Sequence, residues 1–132
     1  MSGVTPDVVS IVDDDESVRL ATVLLVASLG LDAVSFPSAE AFLASSALEQ
    51  ACCVIMDVNM PSMNGLELQA ALSQRRPHLP VIFITAFPSE EIEQRARDGG
   101  AICFLIKPFK SDVLVNCIRA ALDAGARSAG TE

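Results

Sequence analysis

The sequence predicts an α/β domain in which five parallel strands form one sheet with helices on both faces. Two patterns predict this fold class. Short apolar runs alternate with stretches of helical spacing five times along the chain, and four of the five runs are nearly continuous in apolar residues. Such runs indicate strands buried on both faces, whereas a half-solvated sheet would alternate apolar and polar residues. Alternating β and α segments fold into a doubly wound sheet through right-handed crossovers.

The strands are predicted at Val8–Val12, Ala33–Phe36, Cys52–Met56, Pro80–Ile84 and Ala101–Ile106. Helices are predicted between them. The first covers Ser17–Leu29, and Ser38, Asn64 and Ser89 are residue types that cap helix N-termini and precede the next three. The last helix carries one apolar stripe and ends at Ala124. The stripe consists of Val113, Leu114, Cys117, Ile118, Ala121 and Leu122.

The composition is that of one globular domain, because 51% of the 132 residues are hydrophobic and 20% are charged. We place the domain at residues 8–124, with an N-terminal extension at 1–7 and a flexible C-terminal tail at 125–132. The net charge of −8 argues against direct contact with nucleic-acid phosphates. No apolar run approaches the roughly 20 residues of a membrane-spanning helix, so we expect no membrane partner and a cytoplasmic location.

The four cysteines are interpreted as small core residues. They lie in apolar runs, form no CxxC pair, and are far in sequence from His78, the only histidine. A disulfide framework or a structural zinc site would require other spacings. We therefore expect reduced thiols that pack like small hydrophobic side chains.

Charged and polar side chains follow the predicted strands, at the edge where a doubly wound sheet binds its ligands. Asp13 and Asp14 follow strand one, Asp57 follows strand three, Thr85 follows strand four and Lys107 follows strand five. If strands one and three are neighbours, about 4.8 Å apart, their carboxylates converge and repel one another unless a cation lies among them. Oxygen donors favour a hard cation such as Mg²⁺. The lysine and the hydroxyl indicate a bound anion, so the set predicts a phosphoryl-transfer site.

Four motifs in register across residues 8 to about 124 resemble the CheY-like receiver domain of two-component response regulators. The segments Ser38–Leu43 and Lys107-Pro108-Phe109 are most similar to the FixJ-type subgroup. The motifs are Val12-Asp13-Asp14-x-x-x-Val18-Arg19, Met56-Asp57-Val58-Asn59-Met60-Pro61-x-Met63-x-Gly65, Ile84-Thr85-Ala86 and Phe104-x-x-Lys107-Pro108-Phe109. The resemblance implies a flavodoxin-like fold with strand order 2-1-3-4-5. It also implies a phosphoacceptor whose only activities are self-phosphorylation and autodephosphorylation.

The resemblance assigns the centre of the site to acidic residues. It implies that Asp57 accepts a phosphoryl group from the phosphohistidine of a sensor histidine kinase or a histidine phosphotransfer protein. The carboxylates of Asp14 and Asp57 and the backbone carbonyl of Asn59 would bind Mg²⁺, for which Mn²⁺ could substitute. Asp13 would assist directly or through water.

The resemblance also assigns the residues that hold and sense the phosphoryl group. Lys107 would pair with one phosphoryl oxygen and Thr85 would donate its hydroxyl to another, while the small Ala86 leaves room. Phe104 would turn inward when Thr85 moves. The bond before Pro108 would be cis, the form that costs little only at X-Pro bonds.

Two other functions share parts of this pattern. A haloacid-dehalogenase-like phosphatase also uses an aspartyl nucleophile, Mg²⁺, a hydroxyl residue and a lysine, and Asp13-x-Asp15 is similar to its first motif. The chain is short for that family, and Glu16-Ser17 does not continue the motif. A flavodoxin-like FMN binder would need a Gly- and hydroxyl-rich loop where this chain has four acids.

The first helix is apolar on both sides and carries no charge after Arg19. One stripe, which we expect to face the sheet, consists of Val18, Ala21, Thr22, Leu25, Val26 and Leu29. The opposite stripe, which we expect to contact the kinase or a second copy of the chain, consists of Leu20, Val23, Leu24 and Ala27. The alternative is a few scattered surface hydrophobic residues.

The sequence does not identify the protein or process that the receiver controls after phosphorylation. We expect a single-domain regulator that acts on a downstream protein, with phosphorylation-dependent homodimerisation as a further possibility. A receiver cut from a FixJ-type DNA-binding regulator would have the same sequence features.

Overall fold

A five-stranded parallel sheet forms the centre of the molecule. The structure is a computed structural model that describes residues 7–130, with side chains described as far as Gly125. The elements in chain order are β1 Val8–Val12, α1 Glu16–Ser28, β2 Asp32–Phe36, α2 Ala39–Leu43, α3 Ala47–Gln50, β3 Ala51–Asp57, α4 Gly65–Arg75, β4 Val81–Thr85, α5 Glu90–Asp98, β5 Cys103–Ile106 and α6 Ser111–Gly130. All strand pairs are parallel and the strand order is β2-β1-β3-β4-β5, which confirms the predicted topology.

The core has two layers, one on each face of the sheet. One layer packs α1 and α6 against Val9, Ile11 and other apolar side chains of the central strands. The other layer packs the remaining helices against side chains that include Val12 and Met56. The central strands are therefore buried on both faces, as their continuous apolar runs predict.

Polar side chains start four of the helices. Ser38, Asn64 and Ser89 each accept a hydrogen bond from the backbone N–H three residues ahead, as predicted for N-caps. Asn64 also forms a reciprocal capping box with Glu67. Asp15 caps α1, so this carboxylate has a structural role beside the acidic site.

Helix α1 and strands β2, β3 and β4 start or end one residue from their predicted bounds, and three differences are larger. The second helical region is broken into the short α2 and α3, and β5 begins at Cys103 instead of Ala101. The last helix continues past Ala124 to Gly130, because the alanine-rich end favours helix. Residues 125–130 are therefore helical, and the expectation of a flexible tail at 125–132 stays a prediction. Residues 1–6 of the expected extension and residues 131–132 lie outside the described part of the chain.

The orientation of α1 corrects part of the predicted stripes. Thr22 and Val26 are buried as predicted, but Ala21 is exposed and Val23 packs against the core. A helix that is apolar all round has no polar face to fix its rotation. The buried face of α1 is therefore shifted away from Ala21 and towards Val23, the larger side chain on the other flank.

The cysteines are free thiols within the core, as predicted. Cys53 and Cys117 are buried, while Cys52 and Cys103 are half-buried. Burial raises the pKa of Cys52 to about 11 and that of Cys117 to about 12, so these thiols stay protonated and unreactive near neutral pH. Within the described residues, no helix is both long and apolar enough to span a bilayer.

Candidate functional site

The sheet brings three carboxylates together at the carboxyl ends of β1 and β3. Val12 pairs with Met56 in the register of these neighbouring strands, so the next residues along, Asp13 and Asp57, lie side by side. Carboxylate oxygens of Asp13, Asp14 and Asp57 all lie within 4.8 Å of one another. These are the acids that the sequence singled out.

Asp57 lies at the centre of the site and is only 5% exposed. Its Oδ1 atom accepts a hydrogen bond from the backbone N–H of Asn59 at 2.9 Å. Its Oδ2 atom accepts one from Lys107 Nζ, also at 2.9 Å. The carboxylate is therefore held in one orientation from two sides before any ligand arrives.

Asp13 is fully buried and is held by its own neighbours. Its Oδ1 atom accepts from the Asp15 backbone N–H at 2.9 Å, and Arg19 donates to the Asp13 backbone carbonyl at 2.7 Å. The pKa of Asp13 is raised from 3.8 to about 6, chiefly by burial and in part by the charge of Asp57, while the Asp15 N–H and Lys107 act to lower it.

Lys107 is the cation that partly balances these acids. Besides its contact with Asp57, its Nζ atom lies 3.4 Å from Asp13 Oδ2. Burial lowers the pKa of Lys107, but its hydrogen bond to Asp57 and the charges of both aspartates more than offset this, so its pKa is raised and the ammonium stays charged. The Lys107–Pro108 bond is cis, as expected from the resemblance.

Thr85 lies at the end of β4 and is fully buried. Its hydroxyl donates a hydrogen bond to Asn59 Oδ1 at 2.8 Å and accepts one from the Phe87 backbone N–H at 3.0 Å. Ala86, next to it, is exposed. Sequence patterns gave no sign of the contact with the Asn59 side chain, because it depends on the side-chain torsions of Thr85 in β4 and of Asn59 in the β3–α4 loop.

Phe104 is buried in this structure rather than turned outward. It is 9% exposed, and its ring centroid lies 6.4 Å from that of Phe83. The Phe104 ring therefore packs in the core while Thr85 is bonded to Asn59.

Gly65 allows the backbone after β3 to fold closely beneath the site. Its N–H donates to the Val58 carbonyl at 2.9 Å. A Cβ atom at this position would lie 2.5 Å from the Asp57 carbonyl oxygen and 2.9 Å from the Phe83 ring. The sequence motif contained Gly65 but did not reveal this role, which only the approach of the two backbones shows.

The donor set fits a hard divalent cation. All three converging groups are carboxylates, and Lys107 supplies only one positive charge against them. Mg²⁺ prefers such oxygen ligands and usually keeps several waters, so it does not need a closed protein cage.

A family comparison agrees with this geometry. Residues 9–119 match the family model described as the response regulator receiver domain. The chain belongs to the response regulator receiver family. This match favours a receiver over the phosphatase and the FMN binder, whereas the strand order does not separate a receiver from an FMN binder because flavodoxins share it.

Named relatives and a solved structure are similar to this receiver over most of its length. Nodulation protein W of Bradyrhizobium diazoefficiens is 37% identical over 90% of the chain and 52% of the relative. Transcriptional regulatory protein FixJ of Azorhizobium caulinodans is 35% identical over 94% of the chain and 59% of the relative. A CheY-like receiver from Methanospirillum hungatei superposes with a TM-score of 0.86 at 25% identity, covering 94% of this chain and 99% of that one. The receiver thus spans little more than half the length of these curated relatives.

Proposed function

We propose that Asp57 is the phosphoacceptor of this receiver. The proposal depends chiefly on one observation: the Asp57 carboxylate lies between Lys107 Nζ and two further carboxylates, with an oxygen bonded to the lysine at 2.9 Å. An anionic phosphoryl group and a cation would both find a partner of opposite charge there. The Asn59 N–H keeps the carboxylate aimed at that position.

The proposed reaction transfers a phosphoryl group without a net oxidation or reduction. A carboxylate oxygen of Asp57 attacks the phosphorus of a phosphohistidine. The P–N bond breaks as the new P–O bond of the acyl phosphate forms, and the departing imidazole takes up a proton. Most of the catalytic effect then comes from positioning and charge neutralisation.

The carboxylates of Asp13, Asp14 and Asp57 and the backbone carbonyl of Asn59 would hold Mg²⁺, or Mn²⁺ in its place. The bound cation supplies positive charge to the phosphoryl oxygens. Lys107 remains protonated and binds another phosphoryl oxygen, while Thr85 donates its hydroxyl after leaving its present partner. The exposed, small Ala86 leaves space beside it.

Labelling by a small phosphodonor tests the phosphoacceptor. We expect acetyl phosphate with Mg²⁺ to label the wild-type chain at no more than one phosphoryl group per molecule. Asp57→Asn should abolish the label, and the matched change Asp32→Asn on the exposed edge strand should not. Continuous turnover of the phosphodonor at enzyme-like rates would instead indicate a phosphatase. Label that persists in Asp57→Asn would assign the phosphoacceptor elsewhere.

The proposed partner surface for the kinase or phosphotransfer protein is on α1. Leu20 is 53% exposed and Leu24 is 71% exposed, one helical turn apart, and Ala27 is exposed nearby. Val23, which packs against the core, is not part of this surface. Two large exposed leucines at i and i+4 form the kind of apolar contact that a partner helix can cover.

A further inference from the structure

We propose that the side chain of Asn59 is a positioning residue that restrains the Thr85 hydroxyl and so opposes switching of the site. This inference rests on the proposed function of Asp57. It concerns the Asn59 side chain, which is separate from the backbone carbonyl assigned to the metal.

The hydrogen bonds of Thr85 leave no proton for another acceptor. A threonine hydroxyl has one O–H to donate, and here it is donated to Asn59 Oδ1 at 2.8 Å. The hydroxyl oxygen meanwhile accepts from the Phe87 backbone N–H at 3.0 Å. Thr85 can therefore donate to a phosphoryl oxygen on Asp57 only after its bond to Asn59 breaks.

The two partners of this bond differ in burial, which sets the cost of breaking it. Thr85 is fully buried, so its hydroxyl depends on protein or phosphoryl partners. Asn59 is exposed, so its amide oxygen can return to water. The exchange thus costs one ordinary hydrogen bond, without the larger penalty of a stranded buried group.

The bond also joins the two loops that flank the site. Asn59 belongs to the connection between β3 and α4, and Phe87 belongs to the connection between β4 and α5. Thr85 contacts both loops through one oxygen atom. When the bond between Thr85 and Asn59 breaks, the Thr85 hydroxyl is free to donate elsewhere. The same hydroxyl accepts the Phe87 N–H and so orients the start of the β4–α5 loop.

Affinity for beryllofluoride, a phosphoryl mimic, tests the inference at saturating Mg²⁺. Asn59→Leu keeps nearly the same volume but removes the acceptor, so we expect beryllofluoride to bind about fivefold tighter, the factor for one ordinary hydrogen bond. Asn59→Ala should change the affinity in the same direction. Asn116→Leu, the same change on the exposed surface of α6, should leave it unchanged. Titration calorimetry or fluorine NMR gives the dissociation constants.

Measuring Asn59→Leu in a Thr85→Val variant separates restraint of the Thr85 hydroxyl from a direct effect of Asn59 on the pocket. Thr85→Val removes the hydroxyl and keeps the shape, so Asn59→Leu should then have no further effect on beryllofluoride affinity. Tightening of the same size in the Thr85→Val background would overturn the inference, as would an absence of tightening in the wild-type background. If the wild-type chain binds no beryllofluoride, the proposed function itself fails.

Discussion

At the scale of single residues, the site is an arrangement of like charges that the fold holds together. Asp13 and Asp57 are almost completely buried, and among the described residues Lys107 is the one cation bonded to their carboxylates. Two neighbouring carboxylates with a single ammonium leave an excess of negative charge, which Asp14 increases. The folded chain therefore gives up some stability to keep these acids ready for a cation and an anion.

The burial of Asp13 predicts a pH dependence of stability without metal. The pKa of Asp13 is about 6 in the folded chain and 3.8 when unperturbed. The folded chain therefore binds this proton more tightly than the unfolded chain does. The resulting stabilisation is complete below about pH 4 and is lost as pH rises through about 6. Between pH 5 and 7 in EDTA, the wild-type chain should lose about 1 kcal/mol more stability than Asp13→Asn. Denaturant unfolding at both pH values measures this. Parallel losses in the two proteins would contradict it.

Mg²⁺ should stabilise the wild-type fold, because it relieves repulsion in the native state and does not bind the unfolded chain in the same way. At 100 times its Kd the gain should be about 2.7 kcal/mol. Asp14→Ala should lose this gain, and it should not lower the stability of the metal-free protein. Thermal melting with and without Mg²⁺ checks both statements. A wild-type chain that does not respond to Mg²⁺ would rule out the proposed metal site.

Gly65 and Gly125 offer a matched pair of glycine substitutions. Gly65→Ala places a Cβ atom 2.5 Å from the Asp57 carbonyl oxygen, so it should destabilise the fold by about 2 kcal/mol or more and slow labelling of Asp57. Gly125→Ala in α6 meets its nearest neighbour at 3.7 Å, so it should be neutral or stabilise by up to about 1 kcal/mol. Chemical denaturation compares them. Equal effects would show that the close approach is not important.

At the scale of elements, the strands were predictable because their burial leaves a continuous apolar pattern in the sequence. The helix starts at Ser38, Asn64 and Ser89 were predictable because each requires a specific capping side chain. The rotation of α1 was not, since no charge distinguishes its faces. The end of α6 was also missed, because alanine and glycine together give no clear stop signal.

The exposed leucines of α1 predict a loss of kinase transfer on charge substitution. Leu20→Lys combined with Leu24→Lys should slow phosphotransfer from the cognate kinase about tenfold or more, because apolar contact is replaced by two solvated charges. Labelling by acetyl phosphate should be unchanged, since neither leucine is part of the site. Ala70→Lys with Gln74→Lys, exposed at the same spacing on α4 across the sheet, is the matched control.

If the Leu20→Lys, Leu24→Lys variant and the control variant accept phosphoryl groups from the kinase at the same rate, the two leucines are ordinary surface residues and not a docking site. A general loss of labelling, also from acetyl phosphate, would point to damage of the fold instead of loss of docking. Circular dichroism on both double variants separates these outcomes.

At the scale of the whole molecule, topology explains why so much of the site could be predicted. Parallel strands all end at one edge, so residues as distant in sequence as Asp13 and Lys107 meet there once the strand order is known. The sequence does not predict contacts that depend on the torsion angles of the β3–α4 loop. The Asn59–Thr85 bond and the close approach of Gly65 to Asp57 belong to that class.

The same edge carries exposed apolar side chains, which supports the proposal of a phosphorylation-dependent homodimer. Phe87 is 72% exposed two residues after Thr85, Ile106 is 49% exposed directly before Lys107, and Val113 is 40% exposed in the first turn of α6. Ile106 is the last residue of β5, and Phe87 and Val113 come after the ends of β4 and β5, so all three lie near the proposed phosphoryl site. Such side chains become a contact surface when a partner covers them.

We expect the chain with Mg²⁺ and beryllofluoride to gain mass towards a dimer in light scattering, relative to Mg²⁺ alone. Ile106→Glu should prevent the gain, because pairing two copies would bury like charges without partners. Leu24→Glu, at a more exposed position on the α1 surface, should not. A dimer that persists in Ile106→Glu and disappears in Leu24→Glu would move self-association to α1. In that case the two leucines would bind a second copy of the chain, and the strand-end residues would be left for the downstream partner.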